Sequence, residues 1–174
     1  STTRPGVPIY LSGFSLGANV VTKCLAELGT EAVIKYNIGG AAVNAIPFNL
    51  TMITSNLNEP GISKSLYGDR LLQSLSDRIL ETFDDFDYPF SKERLGECKT
   101  INEFEDLVLP ALYDFENVYD YLNKSSTVND LGKVMVPQLV IQALDDPFMQ
   151  GNVNPTNDPS WPLRIQYTEN GGHC

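Results

Sequence analysis

The sequence predicts an α/β fold: a mostly parallel sheet with a helical insertion between its strands. A short apolar run at residues 9–11 leads into the turn Gly-Phe-Ser-Leu-Gly at 13–17, and a helical pattern follows at 18–28. A long, mostly helical stretch comes next, after which short apolar runs that end in polar turns return. Strands that alternate with helices are typical of a parallel sheet.

The remaining elements follow from apolar patterns and the residues that interrupt them. The first helix is expected to end at Gly29, a natural helix cap, and a strand is expected from Ala32 to Val43. Thr100 and Glu103 form a capping box at the start of one of the later helices. Helices are predicted at 63–83, 93–95, 101–109 and 115–124, and further strands at 136–143 and 163–167.

These elements predict three segments of one domain. Residues 1–46 hold the first strand, the turn, its helix and the next strand. Residues 47–130 form a helical insertion, which we expect to lie over Ser15 as a cap and to supply the apolar walls of a substrate pocket. Residues 131–174 hold the two strands that complete the chain.

The turn at 13–17 is a G-x-S-x-G motif between a strand and a helix, which is the setting of a serine nucleophile. Such a turn strains the backbone at Ser15, and we expect that a Cβ at Gly13 or Gly17 would collide with the neighbouring strand or helix. The Leu16 N–H is then a candidate donor to an oxyanion formed at Ser15. The alternative is a chance match, which the flanking strand and helix disfavour.

A serine nucleophile requires a base held by an acid. His173 is the single histidine of the chain and follows Gly171-Gly172 after a predicted strand, although a histidine near a chain end is often only a surface residue. Asp145 and Asp146 directly follow the preceding strand, so the chain order is serine, acid, histidine. We favour Asp146 as the acid because Pro147 sets the turn after it, and we expect Asp145 to accept hydrogen bonds from amides of its own turn. The alternative for the pair is a simple Asp-Pro turn.

Three strings carry a resemblance to a known family: GFSLGANVV around Ser15, QALDDPF at 142–148 and GGH at 171–173. Together they resemble the YheT-like branch of the α/β-hydrolases, which includes animal abhydrolase-domain phospholipases, plant embryo proteins and fungal ethanol acyltransferase/esterases. Weaker matches lie at 45–50, 101–106 and 119–121. The resemblance implies that Ser15, Asp146 and His173 are nucleophile, acid and base. It also implies medium-chain acyl esters or glycerolipids as substrates, with water or an alcohol as acceptor, and no metal or organic cofactor.

The same resemblance predicts that the chain is the C-terminal half of an α/β-hydrolase fold. Such a domain has several strands before the serine turn, and its second oxyanion donor comes from that region. We therefore expect a fragment that is nearly inactive alone. Two alternatives to an ester hydrolase stay open: an acyltransferase that makes esters from acyl donors and alcohols, and a truncated or non-catalytic relative.

Composition limits the partners and the compartment. A net charge of −10 argues against nucleic acid or an anionic membrane as an electrostatic partner. A small acyl ester or lipid is the partner that the resemblance implies. No run approaches the ~20 apolar residues of a membrane span, although a preceding segment could carry an anchor. Cys24, expected in the core, Cys98 and Cys174 are odd in number and lack metal-site spacing, which favours reduced thiols and a reducing intracellular compartment. The acidic loop at 84–87 is predicted to be a solvated turn rather than a calcium site.

Overall fold

The computed structural model describes residues 6–58, 68–149 and 153–173. The fold is α/β, as the sequence predicts. Short 3₁₀ turns lie at Leu131–Lys133 and Pro147–Met149. In chain order the elements are β1 (Ile9–Phe14), α1 (Leu16–Leu28), α2 (Glu31–Ile34), β2 (Ile38–Asn44), α3 (Leu50–Asn58), α4 (Asp69–Glu81), α5 (Lys92–Glu97), α6 (Ile101–Leu112), α7 (Val118–Ser125), β3 (Gln138–Ala143) and β4 (Leu163–Thr168).

The four strands form one parallel sheet in the order β1-β2-β3-β4. Gly13 pairs with Val43, Val43 with Val140, and Val140 with Ile165, so these four residues form one row of paired positions across the four strands. Because the strands are parallel, their carboxyl ends meet at one edge. The turn after β1, the turn after β3 and the loop after β4 all begin at that edge.

The chain divides into two compact units, of which the first contains the sheet and the second comprises Thr51–Lys124. The core of the first unit lies between α1 and one face of the sheet. Leu25 on α1 and Val140 on β3 are fully buried there, and each such side chain contributes about 1.5–3 kcal/mol through removal of apolar surface from water.

Buried hydrogen bonds hold α1 against its neighbours within the first unit. The Gln138 side-chain amide donates to the Thr22 hydroxyl at 2.6 Å, which links α1 to the start of β3. The Asn19 amide donates to the Ser125 carbonyl at 2.8 Å and its oxygen accepts from the Thr127 hydroxyl at 3.0 Å. Since buried polar groups that lose their partner cost about 1–3 kcal/mol, these contacts specify the position of the helix that begins after Ser15.

The other face of the sheet exposes alternate side chains. Tyr10 and Phe14 of β1 are 72% and 60% exposed, and Leu139 and Ile141 of β3 are also exposed. The period of two follows from the pleat, which sends successive side chains to opposite faces.

The second unit is helical, with a small apolar core of Leu95, Phe104 and Val108. The predicted capping box is confirmed in its first bond, since the Thr100 hydroxyl accepts from the Glu103 N–H at 3.2 Å. The Glu103 carboxylate reaches one residue farther back than the motif requires and accepts from the Lys99 N–H at 2.6 Å. None of the helices in the described part of the chain is long and apolar enough to cross a membrane. The placement of residues 47–130 as a cap over Ser15 remains a prediction.

Three local predictions need correction or restriction. Residues 32–34 belong to helix α2, closed by the Lys35 N–H bond to the Glu31 carbonyl at 2.9 Å, so the predicted strand begins only at Ile38. A three-residue apolar run is too short for its periodicity to separate strand from helix. Cys24 is exposed rather than buried, because neighbouring Leu25 occupies the inner face of α1. The start of the predicted helix 63–83 and Cys174 lie outside the described residues.

Candidate active site

Ser15 lies at a sharp turn between β1 and α1. Its backbone has φ 52° and ψ −125°, a region that residues with a side chain rarely adopt. Three backbone hydrogen bonds hold the turn. The Ser15 N–H donates to the Asn44 carbonyl at 3.0 Å, and the Ser15 carbonyl accepts from the Ala18 N–H at 2.9 Å and from the Asn19 N–H at 3.3 Å. The strain is thus maintained by β2 on one side and by the first turn of α1 on the other.

The two glycines of the motif have different roles. A Cβ at Gly13 would lie 2.6 Å from the Gly17 carbonyl carbon and 2.8 Å from the Ala18 nitrogen, closer than side-chain carbons approach backbone. The expectation for Gly13 is therefore confirmed. The expectation for Gly17 is wrong within the described residues, since a Cβ there meets nothing within 4 Å. The carbonyl group of Gly17 lies where it would contact a Cβ at Gly13, whereas a Cβ on Gly17 itself would point away from the described residues.

Asp146 lies in the turn after β3 and is 1% exposed. Its Oδ1 accepts a hydrogen bond from the Phe148 N–H at 2.9 Å, which is a local Asx turn. Its Oδ2 lies 2.8 Å from Nδ1 of His173. One carboxylate oxygen therefore fixes the turn and the other faces the histidine ring.

His173 lies in the loop after β4, with its ring between Asp146 and Ser15. Nε2 is 2.9 Å from the Ser15 Oγ. A neutral ring with its proton on Nδ1 satisfies both contacts, because Nδ1–H donates to the carboxylate and Nε2 accepts from the hydroxyl. The Phe148 ring stacks on the imidazole, with centroids 4.3 Å apart and planes at 30°.

Asp145 also contacts the histidine loop. Its Oδ1 accepts from the Gly172 N–H at 2.8 Å. The expectation that Asp145 bonds amides of its own turn is therefore wrong. Its side chain reaches the loop after the neighbouring strand because β3 and β4 end side by side.

Comparisons with known proteins show what the chain is similar to. No family model matches the chain. YheT of Escherichia coli (strain K12), named as an esterase, is 30% identical over 170 residues, which cover 95% of this chain and 48% of YheT. The monoacylglycerol lipase of Saccharomyces cerevisiae is 26% identical over 176 residues, covering 97% of this chain and 38% of the lipase. Medium-chain fatty acid ethyl ester synthase/esterase 2 of the same yeast is 24% identical over 193 residues, which cover 98% of this chain and 42% of the synthase/esterase.

By these relatives the chain is similar to the α/β-hydrolase superfamily. The superfamily resemblance seen in the three sequence motifs is thereby confirmed. The chain spans less than half the length of these relatives. The relatives are named for esterase, lipase or ester-synthase activity.

In an α/β-hydrolase, the N–H after the serine faces the reacting carbonyl. Here that group is the Leu16 N–H, the first of α1, and the first N–H groups of a helix have no partner within the helix. Its role as a donor to an oxyanion at Ser15 remains a prediction.

Sequence reasoning missed two contacts of this candidate site. The Phe148 ring against His173 and the Asp145 carboxylate against Gly172 each join the turn after β3 to the loop after β4. The only available signal was the pair of carboxylates before Pro147. Within residues 6–58, 68–149 and 153–173, no group of three or more His, Cys, Asp and Glu side chains is placed to hold a metal ion.

Proposed function

We propose that the protein is a serine hydrolase that cleaves carboxylic esters through an acyl-enzyme on Ser15. The observation that carries the proposal is the continuous chain of contacts Ser15 Oγ to His173 Nε2 at 2.9 Å and His173 Nδ1 to Asp146 Oδ2 at 2.8 Å. A nucleophile within hydrogen-bond reach of a base, which is itself oriented by an acid, is the geometry that activates a serine.

In the proposed first step the Ser15 oxygen attacks the ester carbonyl carbon. His173 takes the hydroxyl proton on Nε2, and the buried Asp146 carboxylate stabilises the imidazolium. The Leu16 N–H donates to the oxyanion. The C–O bond to the alcohol then breaks, and the leaving alkoxide receives the proton from His173.

In the second step water attacks the acyl-enzyme with His173 again as base. The C–O bond to Ser15 breaks as His173 returns the proton to the Ser15 oxygen, and the products are a carboxylic acid and the original hydroxyl. An alcohol in place of water yields a new ester through the same intermediate. Acyl transfer is therefore the second candidate function, and the ethyl ester synthase/esterase among the relatives favours it.

The proposed substrates are medium-chain acyl esters or glycerolipids. Support comes from the names of two relatives, a monoacylglycerol lipase and a medium-chain ethyl ester synthase/esterase. Each of these relatives is more than twice as long as the matched chain, so the substrate class belongs to the proposal.

We also propose that the 174 residues alone turn over slowly. The Leu16 N–H is the one oxyanion donor that we assign, and loss of one donor typically costs about 10²–10³ in turnover. A truncated relative that only binds partners would show no turnover at all, and it would also fail to show an activated serine.

Covalent labelling with a fluorophosphonate probe tests the proposal in the natural protein that carries these residues. We expect labelling at Ser15, and its loss in Ser15→Ala and His173→Gln. Ser12→Ala is the matched control, because Ser12 lies on the same strand and is exposed. Labelling that survives in Ser15→Ala, or is absent from the unmodified protein, would contradict the proposal.

Product analysis separates the two candidate reactions. With a p-nitrophenyl octanoate donor, hydrolysis releases octanoic acid whether or not ethanol is present. Transfer yields ethyl octanoate in proportion to ethanol. If neither product exceeds that of the Ser15→Ala variant, the substrate class is wrong.

A further inference from the structure

Asp145 is the residue before the proposed triad acid, and the proposed mechanism assigns it no part. It is exposed, and its Oδ1 accepts a hydrogen bond of 2.8 Å from the Gly172 N–H, 27 positions along the chain. Gly172 directly precedes His173. The contact therefore acts on the main chain next to the proposed base, whereas Asp146 acts on its ring.

The histidine loop has few other constraints. Where the loop leaves β4, the Leu144 N–H donates to the Thr168 carbonyl at 2.8 Å. Farther along, in residues 170–173, the structure shows one hydrogen bond to the main chain. It is the bond from the Gly172 N–H to the Asp145 carboxylate.

Gly172 requires such a constraint because its backbone has φ 64°. A glycine samples this conformation and its mirror image with similar ease, so the residue before His173 is a natural pivot. Gly171 is restricted differently, since a Cβ there would lie 3.0 Å from the Ala143 Cβ. The loop therefore packs closely on the end of β3 at Gly171 and is held by a carboxylate at Gly172.

We propose that Asp145 is a positioning residue that fixes the main chain of the histidine loop and so places the His173 ring between Asp146 and Ser15. The inference rests on the proposed function, because it assigns to His173 the role of base. The tandem carboxylates then divide one task. Asp146 orients the imidazole, and Asp145 holds the backbone that carries it.

The test compares Asp145→Ala with Asp145→Asn. Alanine removes the acceptor, whereas asparagine keeps an oxygen that can accept from Gly172 while removing the charge. We expect Asp145→Ala to lower the rate of fluorophosphonate labelling and kcat by up to about 10²-fold, the effect of a misplacement of about 1 Å, with little change in KM. Asp145→Asn should keep most of the labelling rate and kcat of the unmodified protein.

Asp158→Ala is the matched control. The Asp158 carboxylate accepts from the Ser160 N–H at 2.8 Å and from the Ser160 hydroxyl at 2.7 Å in an exposed turn. Alanine at this position therefore removes a backbone contact of equal length, together with the hydroxyl contact, away from the serine, acid and histidine. Equal loss of activity in Asp158→Ala and Asp145→Ala would show a general structural effect and overturn the inference. Equal loss in the alanine and asparagine variants of Asp145 would assign the effect to charge and overturn it as well.

Amide hydrogen exchange measured by NMR separates this inference from the proposed function. We expect the Gly172 amide to exchange faster in Asp145→Ala than in the unmodified protein and in Asp145→Asn. If the unmodified protein fails to label at Ser15 but this pattern appears, the proposed function fails and the positioning of the loop stands. An unchanged Gly172 exchange rate in Asp145→Ala would overturn the inference whatever the labelling shows.

Discussion

The two glycines of the serine turn provide a test in which sequence motif and structure disagree. The motif treats Gly13 and Gly17 as equivalent, so alanine at either position should damage the turn. In the structure, a Cβ at Gly13 lies 2.6 Å from the Gly17 carbonyl carbon, whereas a Cβ at Gly17 has no described neighbour within 4 Å. Alanine substitutions at the two positions should therefore have opposite effects on stability.

The magnitudes follow from those distances. For Gly13→Ala, restoring an ordinary contact of 3.4 Å to the Gly17 carbon requires a shift of about 0.8 Å in the backbone that flanks Ser15. Overpacking of this kind costs about 1–3 kcal/mol in the free energy of unfolding. A shift approaching 1 Å at the nucleophile should also lower activity by about 10²-fold. For Gly17→Ala, alanine in helix α1 should stabilise the protein by about 0.5–1 kcal/mol.

Urea unfolding followed by circular dichroism measures both changes, and fluorophosphonate labelling reports on Ser15. We expect Gly13→Ala to lower the unfolding midpoint and the labelling rate, and Gly17→Ala to raise the midpoint while Ser15 still labels. Gly17→Ala as damaging as Gly13→Ala would show that the space beside Gly17 is occupied in the natural protein. Unchanged stability in Gly13→Ala would refute the close approach of the turn to α1.

Two further predictions concern carboxyl groups. Asp146→Asn should lower turnover on the order of 10⁴-fold because the imidazole loses its orienting acid, and Asp145→Asn should lower it far less. Steady-state kinetics of the two variants measures both effects. If Asp145→Asn were the more severe variant, the roles of the two carboxylates would be exchanged. Burial raises the pKa of Glu105 from its usual 4.5 to about 7. At pH values between these two, the carboxyl group is therefore protonated in the folded state and ionised in the unfolded state. Stability should therefore fall as pH rises through this range, and Glu105→Gln should stabilise the protein by up to about 3 kcal/mol near pH 8 and by nothing near pH 4, as measured by urea unfolding at both pH values.

Much of the site could be predicted because its requirements are local. The backbone strain at Ser15 needs a glycine at position 13, a preceding strand and a following helix, and all three are visible within twenty residues. The order of serine, carboxylates and histidine, each just after a predicted strand, indicates that parallel strands bring them to one edge of a sheet. Local sterics and chain order were therefore sufficient for the fold class and the candidate residues.

The division of work between Asp145 and Asp146 could be argued only weakly from sequence. Adjacent residues send their side chains in different directions, and the partner of each is set by where the loop after β4 lies. The same limit explains residues 32–34 and Cys24. Their local patterns fit more than one structure, and the choice depends on packing against residues distant in the chain, which a local pattern does not encode.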